Sequence, residues 1–111
     1  MPESVLMPLE PKMADLHDAS VRKVIAFLVE NRGLDYSKEE IATGSGISRP
    51  TLYRIWPTLE KNSLLIATRK YGNAQLYKIN EDNEFIKTWI KLELAIVREQ
   101  LKRMKSYGKK K

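Results

Sequence analysis

The segment from residue 37 to residue 65, SKEEIATGSGISRPTLYRIWPTLEKNSLL, decides the fold of this 111-residue chain. It opens with Ser37 three residues before Glu40, the spacing of a capping box, in which each side chain pairs with the other residue's backbone at a helix start. Two glycines soon after Glu40 keep that helix short. Ser48 can cap a second helix with Pro50 in its first turn, where the missing backbone donor costs little. The segment therefore predicts two helices joined by a tight turn.

The second of these helices has an apolar stripe and an opposite polar face. The stripe recurs at intervals of three and four residues, the period of a helix that buries one side, and consists of Leu52, Ile55, Trp56 and Leu59. The polar face carries Arg49, Thr51, Tyr53, Arg54 and Thr58. Pro57 lies inside this helix, where proline removes one backbone hydrogen bond and clashes with a carbonyl, at a cost of roughly 3 kcal/mol. We therefore expect a kink near residues 53–56 or an early end to the regular helix.

The flanking sequence supplies another helix and a pair of strands. Apolar residues with helical spacing predict a helix from about Asp18 to Arg32 with Gly33 as its left-handed cap, followed by a short extended link over residues 34–36. After the central segment, residues 64–70 and 74–80 have the composition of two strands joined by a turn at Tyr71-Gly72-Asn73. The predicted fold class is mainly α with a small β-hairpin (α+β).

The last helix is predicted to be long, from about Asn83 to Ser106, with two apolar stripes. One has heptad-like spacing and the other contains Phe85, Trp89, Leu92 and Ile96. One stripe can pack on the rest of the chain, and the other is left for association with a second copy. The residues predicted to mediate dimerisation are Trp89, Ile90, Leu94, Val97, Leu101 and Met104.

These elements divide the chain into four parts. Residues 1–14 contain three prolines and no helical period, which predicts a flexible N-terminal arm. Residues 15–80 form the predicted globular domain, residues 81–107 the dimerisation helix, and residues 108–111 a basic tail.

The composition excludes several classes of protein. Cysteine is absent and His17 is the single histidine, so disulfides, thiolate metal sites and cysteine nucleophiles are excluded. The longest apolar run is Val24–Val29, and a membrane span needs about 20 residues. The start of the sequence lacks the pattern of a secretory signal. We expect no enzyme activity, no cofactor, no metal and no membrane insertion.

Positive charge is concentrated in the second half of the sequence. The chain has a net charge of +6, yet residues 1–48 carry −3, residues 49–78 carry +5 and residues 79–111 carry +4. A basic segment of this kind suits a polyanionic partner, although a solvated basic surface would have the same composition.

The order of elements resembles a winged helix-turn-helix DNA-binding domain. The resemblance rests on SKEEIA at 37–42, GISRPTLYRI at 46–55, LEKNSLL at 59–65 and TRKYGNAQLYKI, the wing, at 68–79. The chain is similar to small bacterial and archaeal regulators of the MarR, ArsR and PadR type and to short winged-helix proteins of archaea, their plasmids and their viruses. Such proteins usually have glycine where Ser63 stands, so Asn62 is expected to take the left-handed conformation instead.

The resemblance implies a homodimeric transcriptional regulator that binds double-stranded DNA, in the cytoplasm at the nucleoid. The helix that begins after Ser48 would enter the major groove, where its first residues reach base edges, and the wing would reach the adjacent minor groove or the backbone. Arg49 would contact guanine or a phosphate, Arg54 a phosphate, and Thr51 a thymine methyl or a phosphate. The residues predicted to bind DNA are Ser37, Lys38, Ser48, Arg49, Pro50, Thr51, Tyr53, Arg54, Thr58, Arg69, Lys70, Asn73 and Gln75.

Other interpretations of the same residues remain open. Tyr53 could be a half-buried packing residue, the wing a solvated hairpin, and Ser37 only a cap. Two other functions also fit the sequence: an architectural or plasmid-partition protein that coats DNA with little sequence preference, and a winged-helix module that binds proteins.

Overall fold

The computed structural model describes residues 16–109. The predicted arm at 1–14 lies outside the described residues, as do the last two residues of the predicted basic tail. The elements over the described range are α1 (Ala19–Glu30), β1 (Tyr36–Ser37), α2 (Lys38–Ser45), α3 (Arg49–Lys61), β2 (Leu65–Tyr71), β3 (Ala74–Ile79) and α4 (Glu84–Lys109). The chain divides after Asn80 into two compact units, the first with α1 to β3 and the second with α4.

The predicted fold class is confirmed, with one addition to the sheet. The described strands form a three-stranded antiparallel sheet in the order β1-β3-β2, whereas the sequence predicts only the hairpin. The added strand β1 has two residues, and it pairs Tyr36 with Tyr77 and Ser37 with Leu76. Two residues show no alternation of polar and apolar side chains, so this strand has no signal in the sequence.

Apolar stripes from three helices and the sheet form the core of the first unit. The stripes predicted for α1 and α3 are confirmed, and α2 adds a short one. The buried side chains are Val21, Val24, Ile25, Leu28, Val29, Ile41, Ala42, Leu52, Ile55, Trp56, Leu59, Leu64, Leu76 and Ile79. The rings of Trp56 and Tyr77 meet edge to face, with centroids 4.8 Å apart, which ties α3 to the sheet.

The predicted caps of α2 and α3 are confirmed. The Ser37 amide donates to Glu40 Oε1 at 2.9 Å, and the Glu40 amide donates to Ser37 Oγ at 3.2 Å. The Thr51 amide donates to Ser48 Oγ at 3.2 Å. These bonds satisfy amide groups that have no partner within the helix, and so they fix where both helices begin.

Pro57 does not end α3 early, since the helix continues to Lys61. Proline at 57 leaves the carbonyl of Tyr53 without its usual helical donor. Both residues lie on the exposed side of α3, where water can bond that carbonyl. The early end considered from the sequence is therefore wrong, because the buried stripe through Leu59 holds the last turn in place.

The left-handed residue after α3 is Ser63, with φ of 53°, and not Asn62, whose φ is −92°. The Leu64 amide donates to the Leu59 carbonyl and the Ser63 amide to the Glu60 carbonyl, both at 3.0 Å. This is the bond pattern of a Schellman motif, which places the left-handed residue one position after the cap. The expectation for Asn62 is wrong because Asn62 is itself the cap.

The hairpin of β2 and β3 closes through Gly72, which has φ of +63°, and Asn73. Its ladder shifts register by one residue between Ala67 and Lys70. Thr68 and Arg69 therefore both lie opposite Leu76, which makes a β-bulge. The sequence shows no sign of this bulge.

The second unit is the long helix α4. It starts within one residue of the predicted position and extends to Lys109. The Ile86 amide donates to Asn83 Oδ1 at 3.0 Å, so Asn83 caps the helix. At about 1.5 Å per residue, its 26 residues span about 39 Å.

Candidate nucleic-acid interface

The start of α3 is exposed, which is the first requirement for a helix that reads DNA. Ser48, Arg49 and Pro50 are all exposed, and Thr51 is half-buried. The Ser48 hydroxyl donates to Thr51 Oγ1 at 2.8 Å while it accepts from the Thr51 amide. Both hydroxyl groups are therefore oriented by each other before any partner arrives.

The two arginines of α3 each pair with a carboxylate from another helix or its cap. Arg49 Nη2 lies 3.4 Å from Glu39 Oε2, and both side chains are well exposed. Arg54 Nη1 lies 3.0 Å from Asp18 Oδ2. The hydrogen bond from Arg54, aided by the amides of Ser20 and Val21, lowers the pKa of Asp18 below its ordinary value. Arg49 is thus held loosely, and Arg54 is held by a carboxylate that also caps α1.

Lys38 lies over aromatic rings of α3. Its ammonium is 4.6 Å from the centroid of Trp56 and 5.5 Å from that of Tyr53, which are cation–π distances. Trp56 is buried, as predicted, while Tyr53 is 50% exposed. Tyr53 therefore has half of its surface available to a partner, and Lys38 places a positive charge beside it.

The predicted wing residues differ in how strongly they are held. Lys70 and Asn73 are exposed. Arg69 Nε lies 3.0 Å from Asp35 Oδ2. Gln75 Nε2 donates to the carbonyls of Arg69 and Leu76, both at 3.1 Å. The side-chain amide of Gln75 is thus bonded within the hairpin itself, while Lys70 and Asn73 are exposed to solvent.

A groove of about 440 Å³ lies between the helices and the hairpin. Its lining comes from the start of α2, the first turns of α3 and the strand β3 with the turn before it: Ser37, Lys38, Glu39, Arg49, Tyr53, Asn73, Ala74, Gln75 and Tyr77. Burial, with a smaller effect of Glu60, raises the pKa of the Tyr77 phenol above its ordinary value. Six residues predicted to bind DNA from three separate segments therefore share one concave surface.

The other predicted residues lie outside the lining of this groove. They are Ser48, Pro50, Thr51, Arg54, Thr58, Arg69 and Lys70. Thr58 is half-buried near the end of α3, and Arg54 and Lys70 are exposed. The groove thus divides the predicted set into residues that line it and residues on the surface beyond it.

Sequence reasoning missed the acidic partners of the arginines. Asp18, Asp35 and Glu39 each pair with one arginine of the predicted DNA-binding set. The first two pairs join residues 36 and 34 positions apart, so neither helical nor strand periodicity can reveal them. Glu39 meets Arg49 because the turn between α2 and α3 brings the starts of the two helices together, which the sequence pattern does not show.

The second unit carries an exposed apolar surface along α4. The exposed fractions run from 45% at Ile96 to 68% at Met104, and the exposed residues are Leu92, Leu94, Ile96, Val97, Leu101 and Met104. Trp89 and Ile90 are half-buried, and the Trp89 ring lies edge to face on Phe85 with centroids 6.1 Å apart. Four of the six residues predicted for dimerisation, Leu94, Val97, Leu101 and Met104, are thus exposed.

Within residues 16–109, no group of three or more His, Asp or Glu side chains could hold a metal ion. His17 Nδ1 instead lies 3.2 Å from Arg22 Nη2. No helix in the described part of the chain is both long enough and apolar enough to cross a membrane.

Comparison with protein-family models finds no match, and no curated protein sequence matches either. Solved structures do match. NadR in complex with 4-hydroxyphenylacetate has a TM-score of 0.60 and 20% identity, over 84% of this chain and 69% of that one. The homodimeric winged helix-turn-helix DNA-binding domain Mb0332 from Mycobacterium bovis, a possible ArsR-family regulator, has a TM-score of 0.57 and 22% identity, over 83% and 80%. Sso10a-2, a DNA-binding protein from Sulfolobus solfataricus, has a TM-score of 0.50 and 19% identity, over 80% and 90%.

The chain has the winged-helix fold. In that fold α2 and α3 form the helix-turn-helix, and β2 and β3 form the wing. The resemblance noted in the sequence is confirmed at the level of the fold by structures that are at most 22% identical.

Proposed function

We propose that this protein binds double-stranded DNA as a homodimeric, sequence-specific transcriptional regulator. The observation that carries the proposal is the groove between α3 and the wing, which gathers Lys38, Arg49, Tyr53 and Asn73 from separate segments. A DNA-reading helix presents its first residues to base edges in the major groove, while flanking elements contact the backbone. The exposed start of α3 beside a basic wing has that arrangement.

Electrostatics supports a nucleic-acid partner. Residues 49–78, which contain α3 and the wing, carry six basic residues and one acidic residue. Neutralisation of phosphates by such residues releases counterions, so binding weakens steeply as salt rises. Affinity is therefore expected to fall strongly between 50 and 200 mM salt. This role places the protein with DNA at the nucleoid.

The proposed dimer forms through α4. Exposed Leu94, Val97 and Leu101 recur at intervals of three and four residues, the spacing of a helix–helix seam. A continuous row of exposed apolar side chains is typical of association surfaces. Two copies would present two α3 helices to a DNA site with approximate two-fold symmetry, with half-sites about 10 bp apart or a multiple of that spacing.

Selection of bound sequences from a random duplex pool, followed by titration of the winning duplex and a scrambled one, tests the proposal. Arg49→Ala is expected to remove or flatten the preference between the two duplexes, because a bidentate contact to guanine gives about 1–3 kcal/mol of discrimination. Lys70→Ala is expected to weaken binding to both alike. Lys23→Ala is a matched control for charge, since Lys23 is exposed on α1 and lines no part of the groove.

Failure of the wild-type chain to retain any duplex on a column washed with heparin would refute DNA binding and favour the alternative of a protein-binding module. Equal loss on both duplexes from Arg49→Ala would show that Arg49 contacts phosphate and does not read bases.

An architectural role is the second candidate. The exposed Arg69 and Lys70 of the wing favour it, because contacts of basic side chains with phosphates carry no sequence information. Footprinting separates the two roles. A regulator protects one discrete site, whereas a coating protein extends its protection as concentration rises.

A further inference from the structure

The bulge in β2 brings two neighbouring side chains of the wing to one carboxylate. Successive residues of a regular strand point to opposite faces of the sheet. Thr68 and Arg69 lie together opposite Leu76, and a bulge of this kind re-aims side chains. Both side chains reach Asp35, in the loop before β1.

The contacts with Asp35 are short and use both of its oxygens. Thr68 Oγ1 donates to Asp35 Oδ2 at 2.6 Å, and Arg69 Nε donates to the same oxygen at 3.0 Å. Arg69 Nη2 donates to Asp35 Oδ1 at 3.3 Å. Two parallel bonds between a guanidinium and a carboxylate fix the direction of the side chain as well as its position. These bonds, led by that from Arg69, lower the pKa of Asp35 below its ordinary value.

The hairpin closes the bulge from its other side. Gln75 Nε2 donates to the carbonyls of Arg69 and Leu76, and Thr68 Oγ1 also lies 3.2 Å from the Leu76 carbonyl. The carbonyl of Arg69 is thus held by Gln75 of β3, and its guanidinium is held by Asp35 in the loop before β1.

The two partners of this ion pair differ in exposure. The side chain of Asp35 is 18% exposed, whereas that of Arg69 is 69% exposed. The contacts use Nε and Nη2, so Nη1 is the nitrogen outside them. A guanidinium held at its inner edge by a carboxylate can still donate outward to a phosphate.

We propose that Asp35 is a positioning residue for DNA binding, which holds Arg69 of the bulged wing strand in a fixed orientation toward the phosphate backbone. This role rests on the proposed function. Asp35, an acidic residue outside the predicted DNA-binding set, would thus strengthen a contact with a polyanion.

A positioning role for Asp35 predicts a change in DNA affinity opposite to the change that simple electrostatics predicts. Removal of a negative charge near DNA should strengthen binding, because repulsion from the phosphates is lost. If Asp35 positions Arg69, its removal should instead weaken binding, because a pre-oriented contact becomes a mobile one. Glu39 offers the matched comparison, since it also pairs with an arginine but is 74% exposed and lies 3.4 Å away.

The test measures the affinity of the full chain for the duplex selected from the random pool and for a 30-bp duplex of random sequence, at several salt concentrations, by fluorescence anisotropy. The variants are Asp35→Asn, Arg69→Ala, the double variant and Glu39→Gln. Asp35→Asn is expected to weaken binding about 10-fold, the size of one charge-assisted contact, and to reduce the salt slope by about 1. It should have no further effect in the Arg69→Ala background, and Glu39→Gln should leave affinity equal or higher.

The affinities separate the role of Asp35 from the proposed function. If the wild-type chain binds and Asp35→Asn leaves affinity equal or higher, as Glu39→Gln does, the positioning role is refuted and the proposed function stands. Additive losses from Asp35→Asn and Arg69→Ala also refute it, because the two residues would then act separately. No binding by the wild-type chain refutes both the proposed function and the role of Asp35. Circular dichroism checks that each variant is folded. If Asp35→Asn does not fold, Thr68→Val replaces it in the test, because it removes one hydrogen bond to Asp35, and the same loss of affinity is expected.

Discussion

Replacement of Ser63 by glycine is expected to raise the free energy of unfolding of the first unit. Ser63 has φ of 53°, a left-handed conformation that costs a residue with a Cβ atom roughly 1–2 kcal/mol. Glycine has no such penalty, although its greater freedom in the unfolded chain offsets roughly 0.5–1 kcal/mol of the gain. The net stabilisation is therefore about 0.5–1 kcal/mol, which for a unit of this size raises the unfolding midpoint by roughly 2–8 °C.

Urea titration followed by circular dichroism measures this change, and two variants serve as controls. Ser63→Ala removes the hydroxyl and keeps the Cβ atom, so it should not stabilise. Asn62→Gly should destabilise, because Asn62 has φ of −92° and its amide group donates to the Thr58 carbonyl at 2.8 Å. A stabilising Asn62→Gly together with a neutral or harmful Ser63→Gly would show that the left-handed residue is Asn62, and the reasoning from the Schellman motif would be refuted.

Two further predictions concern association and pH. Leu101→Lys should shift the chain from the proposed dimer toward monomer in sedimentation experiments, because Leu101, exposed in one copy, would be buried between two, which is worth about 2 kcal/mol in each copy. Gln100→Lys adds the same charge beside the seam and should not shift the equilibrium. If both variants remain dimeric, α4 is not the interface. Asp18 has a folded pKa below its ordinary value of 3.8 because of Arg54, so its ionised form stabilises the fold above that pH and this contribution is lost as pH falls through the lowered pKa. Asp18→Asn keeps a good cap, so its deficit in unfolding free energy should be constant above about pH 5 and shrink below pH 4, and a deficit that does not change with pH would contradict this.

The elements could be predicted from sequence because their signals are local. The capping box at Ser37, the cap at Ser48 and the stripe through Leu52 and Leu59 all involve residues within a few positions of each other. The turn sequence at residues 71–73 likewise predicts the hairpin, and Gly72 has the left-handed conformation that such a turn needs. Such features follow from backbone geometry and the helical period, and the structure confirms them.

The parts that could not be predicted depend on distant contacts. Strand β1 exists because Tyr36 meets Tyr77 across the sheet, and the pairing of Asp35 with Arg69 joins residues 34 positions apart. Whether Asn62 or Ser63 takes the left-handed conformation depends on which residue is the C-cap of α3, and only the backbone hydrogen bonds at the end of the helix show this. For the candidate interface, the sequence indicates which residues are polar and basic, but the carboxylates that hold the arginines emerge only when the chain is folded.

The bulge in β2 has a consequence for how the protein behaves at high concentration. In the described part of the sheet β2 forms one edge, and its residues from Ile66 to Tyr71 are exposed. An open edge of regular strand invites pairing with another molecule and leads to aggregation, and natural proteins prevent this with bulges and with charged side chains on the edge. The shifted ladder and the neighbouring Arg69 and Lys70 provide both safeguards, while the opposite edge, β1, is only two residues long. The exposed edge strand of the wing is in this way protected from pairing with other copies of the chain.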